Sequence, residues 1–524
     1  MNKLSFKLIF LLLMLSMISL AQNYLDTHVP NPYYSENIFK QAPADSAQPP
    51  LFLEIKDLLP QPFWDGHSEA IECYWRSWEI AFSNLKAPTS DNGFISPYID
   101  PAFNNNIFMW DCSFMTMFGK YAYRTFNFQR TLDNFYAKQH KDGFICREIR
   151  ENDGSGVFER FDPASTGPNI MPWAEWEFYL NIGDTARLNK VFPVLLAYYQ
   201  WYQTYRRWPD GTYFSSGWGC GMDNQPRMHP PYHSGWSHGF MSWIDISLQE
   251  VYAGKLLQKM ATELGREKDI EEITAEVEKL SQFINEKMWN EEESFYFDRY
   301  RDGSLSDLKS IASFWALLSG VVPPERVDAF VSHLSDTSKF ARVHRVPTLS
   351  ADSKHFSPDG DYWNGSVWAP TNYMVLRGLT HYHQDSLAFE IAHNHLKNVV
   401  QVFEESGEIH ENYAPDKVQG NDKKDFVGWT GLVPINVMME YVFGIRPNVP
   451  EQTLIIDVHL TDHYGVKQFP FGKQGLLNIE VFERNSLNEK PEISIESNIP
   501  LKVLVFWNHG EETIEYSPHP SLGE

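Results

Sequence analysis

From about Phe63 to Ile445, apolar residues recur three and four positions apart, and glycine- and proline-rich stretches interrupt them. That spacing places apolar side chains along one face of a helix. Within Arg187 to Trp208 the stripe is Leu188, Val191, Phe192, Leu195, Tyr199 and Tyr202. A second stripe is Leu248, Val251, Tyr252, Leu256, Met260 and Leu264, with Asp245 placed to cap its start and Gly265 its end. Val277, Leu280, Ile284 and Met288 give a third. The stripes recur through residues 63–446 without a strict sequence repeat, which predicts stacked or ringed helical hairpins.

After Pro447 the period drops to two. Leu477, Ile479 and Val481 alternate with polar residues, as do Ile493 with Ile495, and Leu501, Val503 and Val505 with Trp507. Residues 447–524 therefore read as a small antiparallel, sandwich-like β module. Residues 22–62 are proline-rich and read as an irregular lead-in. At the start, Lys3 and Lys7 precede an apolar run from Leu8 to Leu20, and Ser19-Leu20-Ala21 supplies the small residues of a cleavage site. Residues 1–21 thus read as a signal peptide, with the mature chain beginning near Gln22 and bound for the periplasm or the medium. No cysteine lies near the cleavage point, which argues against a lipoprotein, and no later run is apolar for long enough to span a bilayer.

A length of 524 residues suits one large domain with a smaller module. The formal charge of −24, spread along the chain, disfavours nucleic acid and anionic membranes as partners. Cys73, Cys112, Cys146 and Cys220 are too few for a disulfide scaffold and lack zinc-ligand spacing, which leaves one or two bridges or four small buried hydrophobes. Aromatic residues make up 15% of the chain, with 17 tryptophans, many of them beside Asp, Gly, Asn or Pro. Most are core filler, but the pattern also suits sugars, whose C–H faces stack on rings while their hydroxyls pair with carboxylates and amides.

Four breaks carry the candidate chemistry. Met109 to Phe114 reads MWDCSF and offers Trp110 as a stacking platform and Asp111 for vicinal hydroxyls; its plain alternative is an N-cap for a helix from Cys112 to Tyr123. His140 to Arg147 reads HKDGFICR, a turn followed by Arg147, which could reach a substrate hydroxyl. Gly217 to Arg227 reads GWGCGMDNQPR and isolates Asp223 beside Trp218, Met222, Asn224 and Arg227, where neither helix nor strand runs. A general acid there needs burial to raise its pKa, so Arg227 should point at the sugar or at another carboxylate. The fourth is Asp361 to Trp368, DYWNGSVW, together with His410 to Pro415, HENYAP, which isolates Glu411. Each has an ordinary structural reading as a turn, cap or core aromatic. Their coincidence in one helical array favours a glycosidase.

These strings resemble the α/α-toroid glycosidases, specifically glycoside hydrolase family 63 and its mannosylglycerate-hydrolase-like relatives, with trehalases more distant. The resemblance runs from about Phe108 to Gly444 and implies a mainly α, six-hairpin (α/α)6 toroid. It rests on Trp110 and Asp111; on Gly221, Met222, Asp223, Asn224, Pro226 and Arg227; on Tyr362, Trp363, Gly365 and Trp368; and on Glu411, Asn412, Tyr413, Gly428, Trp429, Gly431 and Leu432. Where the family usually has arginine and proline, this chain has Asn364 and Ser366, and Asn-Gly leans towards the trehalase form of that loop. The resemblance implies Asp223 as general acid and Glu411 as general base in an inverting, α-glucosidase-like hydrolysis. It implies Trp110, Asp111, Arg147, Trp218, Asn224, Arg227, Trp363, Asn364, Trp368, Tyr413 and Trp429 as substrate contacts. Inversion demands carboxyl groups roughly 6.5–9.5 Å apart. The chemistry needs no cofactor, and a structural calcium is compatible with it. The rival readings are an α,α-trehalose hydrolase, a non-catalytic carbohydrate-binding protein on the same scaffold, and, least favoured, a lyase or epimerase.

Overall fold

A computed structural model of the chain describes residues 29–426 and 428–518, so the signal-peptide assignment lies outside the described residues. Twelve helices build the main body. In chain order they are α1 (Ser68–Ser83), α2 (Met109–Gly119), α3 (Thr131–Ala137), α4 (Met171–Ile182), α5 (Thr185–Tyr205), α6 (Ile244–Leu264), α7 (Glu271–Lys287), α8 (Trp315–Leu318), α9 (Pro324–Val331), α10 (Ala369–His381), α11 (Asp385–Ser406) and the π-helix α12 (Val433–Val442). Neighbour contacts run from α2 to α4, α6, α8 and α10, and return to α2 through the turn Thr430–Leu432 that leads into α12. These even-numbered helices form the inner ring of an α/α toroid, and the odd-numbered helices lie outside them.

Burial separates the two rings. Every residue of α2 and of α12 is buried, whereas α7 buries only Ile273, Val277, Leu280 and Ile284. An outer helix needs one apolar stripe; an inner helix is covered on all sides and loses the period. The expected helix from Cys112 to Tyr123 accordingly begins earlier, at Met109, and ends at Gly119 in a short 3-10 turn. Asp245 does not cap α6, because it lies inside the helix with its carboxylate turned to Arg227, whereas Gly265 does end the helix in a left-handed conformation.

The inner helices start at one face of the ring. At their other ends they share a buried ionic cluster in which Lys120 sits 2.8 Å from Glu440 and 3.4 Å from Glu177, Arg377 pairs with Glu177, and Tyr121 and Tyr373 donate to Glu440. Polar side chains thus close the axis at the base, leaving the opposite face open to chemistry.

Beside the toroid lie two four-stranded sheets. One has the order Gln61–Trp64, Tyr464–Phe471, Gly475–Val481, Ile493–Ser497, and the other Ile445–Asn448, Thr453–Asp457, Leu501–Trp507, Gly510–Tyr516. Alternation puts Leu477, Ile479 and Val481, and Leu501, Val503 and Val505, into the shared core. Two features go beyond an antiparallel C-terminal module. Gln61–Trp64 joins the first sheet from far upstream, and Thr453–Asp457 runs parallel to Lys502–Phe506. All four cysteines are buried free thiols. No helix among the described residues is long and apolar enough to cross a membrane.

Candidate active site

The cavity at the open face is lined by Phe103, Phe108, Trp110, Asp111, Arg147, Gly167, Pro168, Trp218, Gly221, Asp223, Tyr362, Glu411 and Trp429, and encloses about 70 Å3. Three carboxylates from three separate segments converge there. A far larger groove, about 1420 Å3, lies between α4, α6 and the β module, but its Glu263 is engaged by the Tyr179 hydroxyl and it gathers no comparable set.

Asp111 is the third residue of α2, whose cap is Phe108, so the capping alternative fails and its side chain lines the cavity. Burial, with Glu411 as a second cause, pushes its pKa well above the usual carboxylate range.

Asp223 follows the short helical turn Gly217–Cys220, which Ser216 caps. Gly221 ends that turn at φ +80°, and a Cβ there would come within 3.3 Å of the Trp110 indole, so glycine serves both conformation and packing. Beyond Asp223 the loop is clamped. Asn224 accepts from the Trp363 amide at 2.9 Å and donates to the Asp361 carbonyl at 3.0 Å. Gln225 accepts from the Ser310 hydroxyl at 2.8 Å. Arg227 makes four charge-assisted bonds of 2.6–2.8 Å to Asp245 and Asp298 and lies 4.4 Å over Trp243. It spends itself on two other carboxylates and does not neutralise Asp223. Burial pushes the Asp223 pKa up to about 6, against the pull of Arg147.

Glu411 comes from the hairpin His410–Tyr413 with Gly420–Lys424 and is 2% exposed. The Tyr362 hydroxyl donates to one oxygen and the Lys423 amide to the other, both at 3.3 Å. Burial raises its pKa to about 7, helped by Asp422 and opposed by those two donors. The Trp429 indole donates to the Glu411 carbonyl at 3.3 Å and fixes the strand behind it.

Tyr362 holds a left-handed backbone, φ +55°, unusual for a bulky residue. Trp368 holds it there, ring against ring at 5.0 Å and indole to carbonyl at 3.2 Å. Arg147 donates to the Ala164 carbonyl at 2.9 Å and lies 4.5 Å over Phe158.

The structure therefore brings together Trp110, Asp111, Arg147, Trp218, Asp223, Glu411 and Trp429 from the sequence reading. Six expected contacts sit one layer back. Asn224 and Arg227 anchor the loop that carries Asp223. Trp363 and Trp368 are buried and stacked face to face at 4.0 Å, behind Tyr362 and Trp429. Asn364 bonds Asp361, and Tyr413 is a core residue paired through its backbone with Val367. Phe103, Phe108, Pro168 and Tyr362 line the cavity without standing among the expected contacts, and only Tyr362 belongs to a quoted motif. Among the described residues, no group of three or more His, Cys, Asp or Glu side chains is arranged to hold a metal ion.

The family model for the mannosylglycerate hydrolase MGH1-like glycoside hydrolase domain matches residues 105–430. An uncharacterized protein of Borreliella burgdorferi is 25% identical over 355 residues, covering 65% of this chain and 73% of its own. A mannosyl-oligosaccharide glucosidase of Saccharomyces cerevisiae is 23% identical over 301 residues, 48% of this chain but only 35% of that longer protein. Among solved structures, the mannosylglycerate hydrolase of Thermus thermophilus in complex with Tris and D-glycerate overlays with a TM-score of 0.56 at 20% identity, covering 69% of this chain and 98% of that one. A neutral trehalase of Saccharomyces cerevisiae overlays with a TM-score of 0.52 at 14% identity, covering 65% and 73%. At such identities the overlays speak for the shared toroid alone.

Proposed function

The chain belongs to the mannosylglycerate hydrolase MGH1-like family of glycoside hydrolases, and from that premise we propose that it is an exported enzyme that hydrolyses an α-glucosidic bond with inversion. The observation that carries this reading is the pair Asp223 and Glu411, two carboxylates with raised pKa values that line one aromatic cavity from separate segments. The glucosidase names of several relatives favour a glucoside. Export rests on the lysine-flanked apolar run and small residues of positions 1–21.

In this mechanism Asp223 gives its proton to the leaving oxygen while Glu411 takes one from a water that attacks the anomeric carbon from the opposite face. The Tyr362 hydroxyl and Lys423 amide hold the Glu411 carboxylate in one orientation, so its remaining lone pairs point at the water. Asp111, whose burial favours the protonated form, pairs with a sugar hydroxyl, and Trp110, Trp218 and Trp429 take the C–H faces. The enclosed volume is below the roughly 300–1,000 Å3 of typical ligand pockets, so binding of a sugar ring requires the lining side chains to rearrange. Asp223 and Glu411 titrate close together, and near pH 6.5 the pair holds about one proton, more often on Glu411 than on Asp223; only the form with the proton on Asp223 and Glu411 ionised is reactive.

The test is hydrolysis of a panel of α-linked disaccharides, trehalose and glucosyl- or mannosylglycerate by the wild type, Asp223→Asn and Glu411→Gln. Cleavage of a glucoside lost in both variants supports the reading. Sugar binding with no cleavage by the wild type would make the chain a carbohydrate-binding protein on this scaffold.

A further inference from the structure

The large apolar side chains left exposed among the described residues include five aromatics, Phe103, Phe161, Tyr232, Trp236 and Phe240. All five lie on segments that also supply the cavity. Phe103 lines it, Phe161 falls between Arg147 and Gly167, and the other three follow Asp223 on one loop. Exposed rings scattered singly need no explanation, whereas rings gathered on the loops of one site mark a binding surface.

The cavity wall runs outward onto this surface. Trp218, part of the wall, meets Trp236 edge-on with ring centroids 4.4 Å apart, and Trp236 lies 5.7 Å from Phe158, over which the wall residue Arg147 is stacked. The contact requires Gly235, where a Cβ would fall 2.6 Å from the Trp218 indole. Further along the loop, Tyr232 and Phe240 border a groove of about 580 Å3 whose polar groups, His229, Arg301, Asp302 and Asp307, are mixed in sign. Mixed donors and acceptors beside rings suit hydroxyls better than a charged group.

Direction follows from chemistry. The general acid touches the leaving oxygen, so the rings beyond the scissile bond lie on its side. Asp223 and Trp218 share one loop, and Trp218 leads to Trp236. We propose that Trp236, with the groove bordered by Tyr232 and Phe240, binds the leaving-group side of a neutral oligosaccharide and makes the enzyme favour chains longer than a disaccharide. This rests on the glycosidase reading above.

The experiment measures kcat/KM for α-linked gluco-oligosaccharides of two to five rings on the wild type, Trp236→Ala and Tyr232→Ala/Phe240→Ala, with binding to Glu411→Gln followed by calorimetry. Trp236 is 43% exposed, so its replacement leaves the core intact. The wild type should gain about 3–10-fold for each ring that stacks, and both variants should lose more on the longer chains than on the disaccharide. Equal losses at every length, or a wild type indifferent to length, would overturn the inference while sparing the catalytic assignment. Neither hydrolysis nor binding of any member would remove the glycosidase reading and this inference with it.

Discussion

Replacing Glu411 by glutamine should change the sign of its effect on stability between acid and alkaline pH. The group titrates at about 7 in the folded chain against 4.5 unfolded, because burial opposes its charge. A raised carboxyl contributes stability that is complete below the unfolded value and is lost as pH rises through the folded one. At about 1.4 kcal/mol per tenfold change in protonation, the ionised side chain costs about 3 kcal/mol at pH 8. Glutamine removes that cost. It keeps an acceptor for the Tyr362 hydroxyl but turns an amide towards the Lys423 N–H, losing about 1 kcal/mol. The net is a gain of about 2 kcal/mol at pH 8 and a loss of about 1 kcal/mol at pH 4. With an unfolding entropy of about 2 cal/mol/K per residue, roughly 1 kcal/mol/K for a chain of this size, Tm should rise by about 2 °C at pH 8 and fall by about 1 °C at pH 4. Scanning calorimetry of both proteins across that range reads the crossing directly, with activity down by about 10²–10⁴-fold as the control. A variant less stable than wild type at both pH values would refute the claim that the site holds Glu411 against its preferred state.

The pH profile of kcat/KM should be a bell centred near 6.5, since protonating Glu411 removes the base and ionising Asp223 removes the acid; with the base at about 7 and the acid at about 6, only a small fraction of the enzyme holds the productive pairing even at the optimum. A flat profile from pH 5 to 8 would count against the pair. Arg227→Met leaves Asp245 and Asp298 buried without their cation and should cost about 3–5 kcal/mol in denaturant unfolding, together with activity, because the Asp223 loop loses its anchor. Lys120→Met should cost a similar amount at the base of the toroid, but kcat measured on the folded fraction should stay near wild type. Intact mass of the protein recovered from an exporting host should begin at Gln22, whereas retention of Met1 would contradict export.

How much of this is legible in the sequence varies from helix to helix. The stripe of α7 stands out because that helix keeps a solvent face, and its apolar positions match the buried ones, whereas α5 is buried without a break from Val191 to Tyr199, so its stripe marks only part of the covered surface. In α2 and α12 every residue is covered, so no period marks them, and the expected start of α2 falls three residues late. Asp245 looks like a cap because its partner, Arg227, lies in a distant loop that only folding brings near. The cavity residues are readable where one carboxylate or indole stands alone in a break, as with Asp223, Glu411 and Trp218. Which member of a motif faces the cavity is not readable, because that turns on backbone angles. The positive φ of Tyr362 sends its ring to Glu411 while Trp363 and Trp368 stack behind it. Strand Gln61–Trp64 carries no local signal because its partner lies some four hundred positions downstream.

Proton NMR of the first sugar released from a cleaved α-glucoside, read before mutarotation, tests the central claim most directly. Asp223 as acid and Glu411 as base acting through one water produce the β-anomer in a single displacement. Initial release of the α-anomer would mean a double displacement through a covalent intermediate and would contradict the roles proposed for both carboxylates.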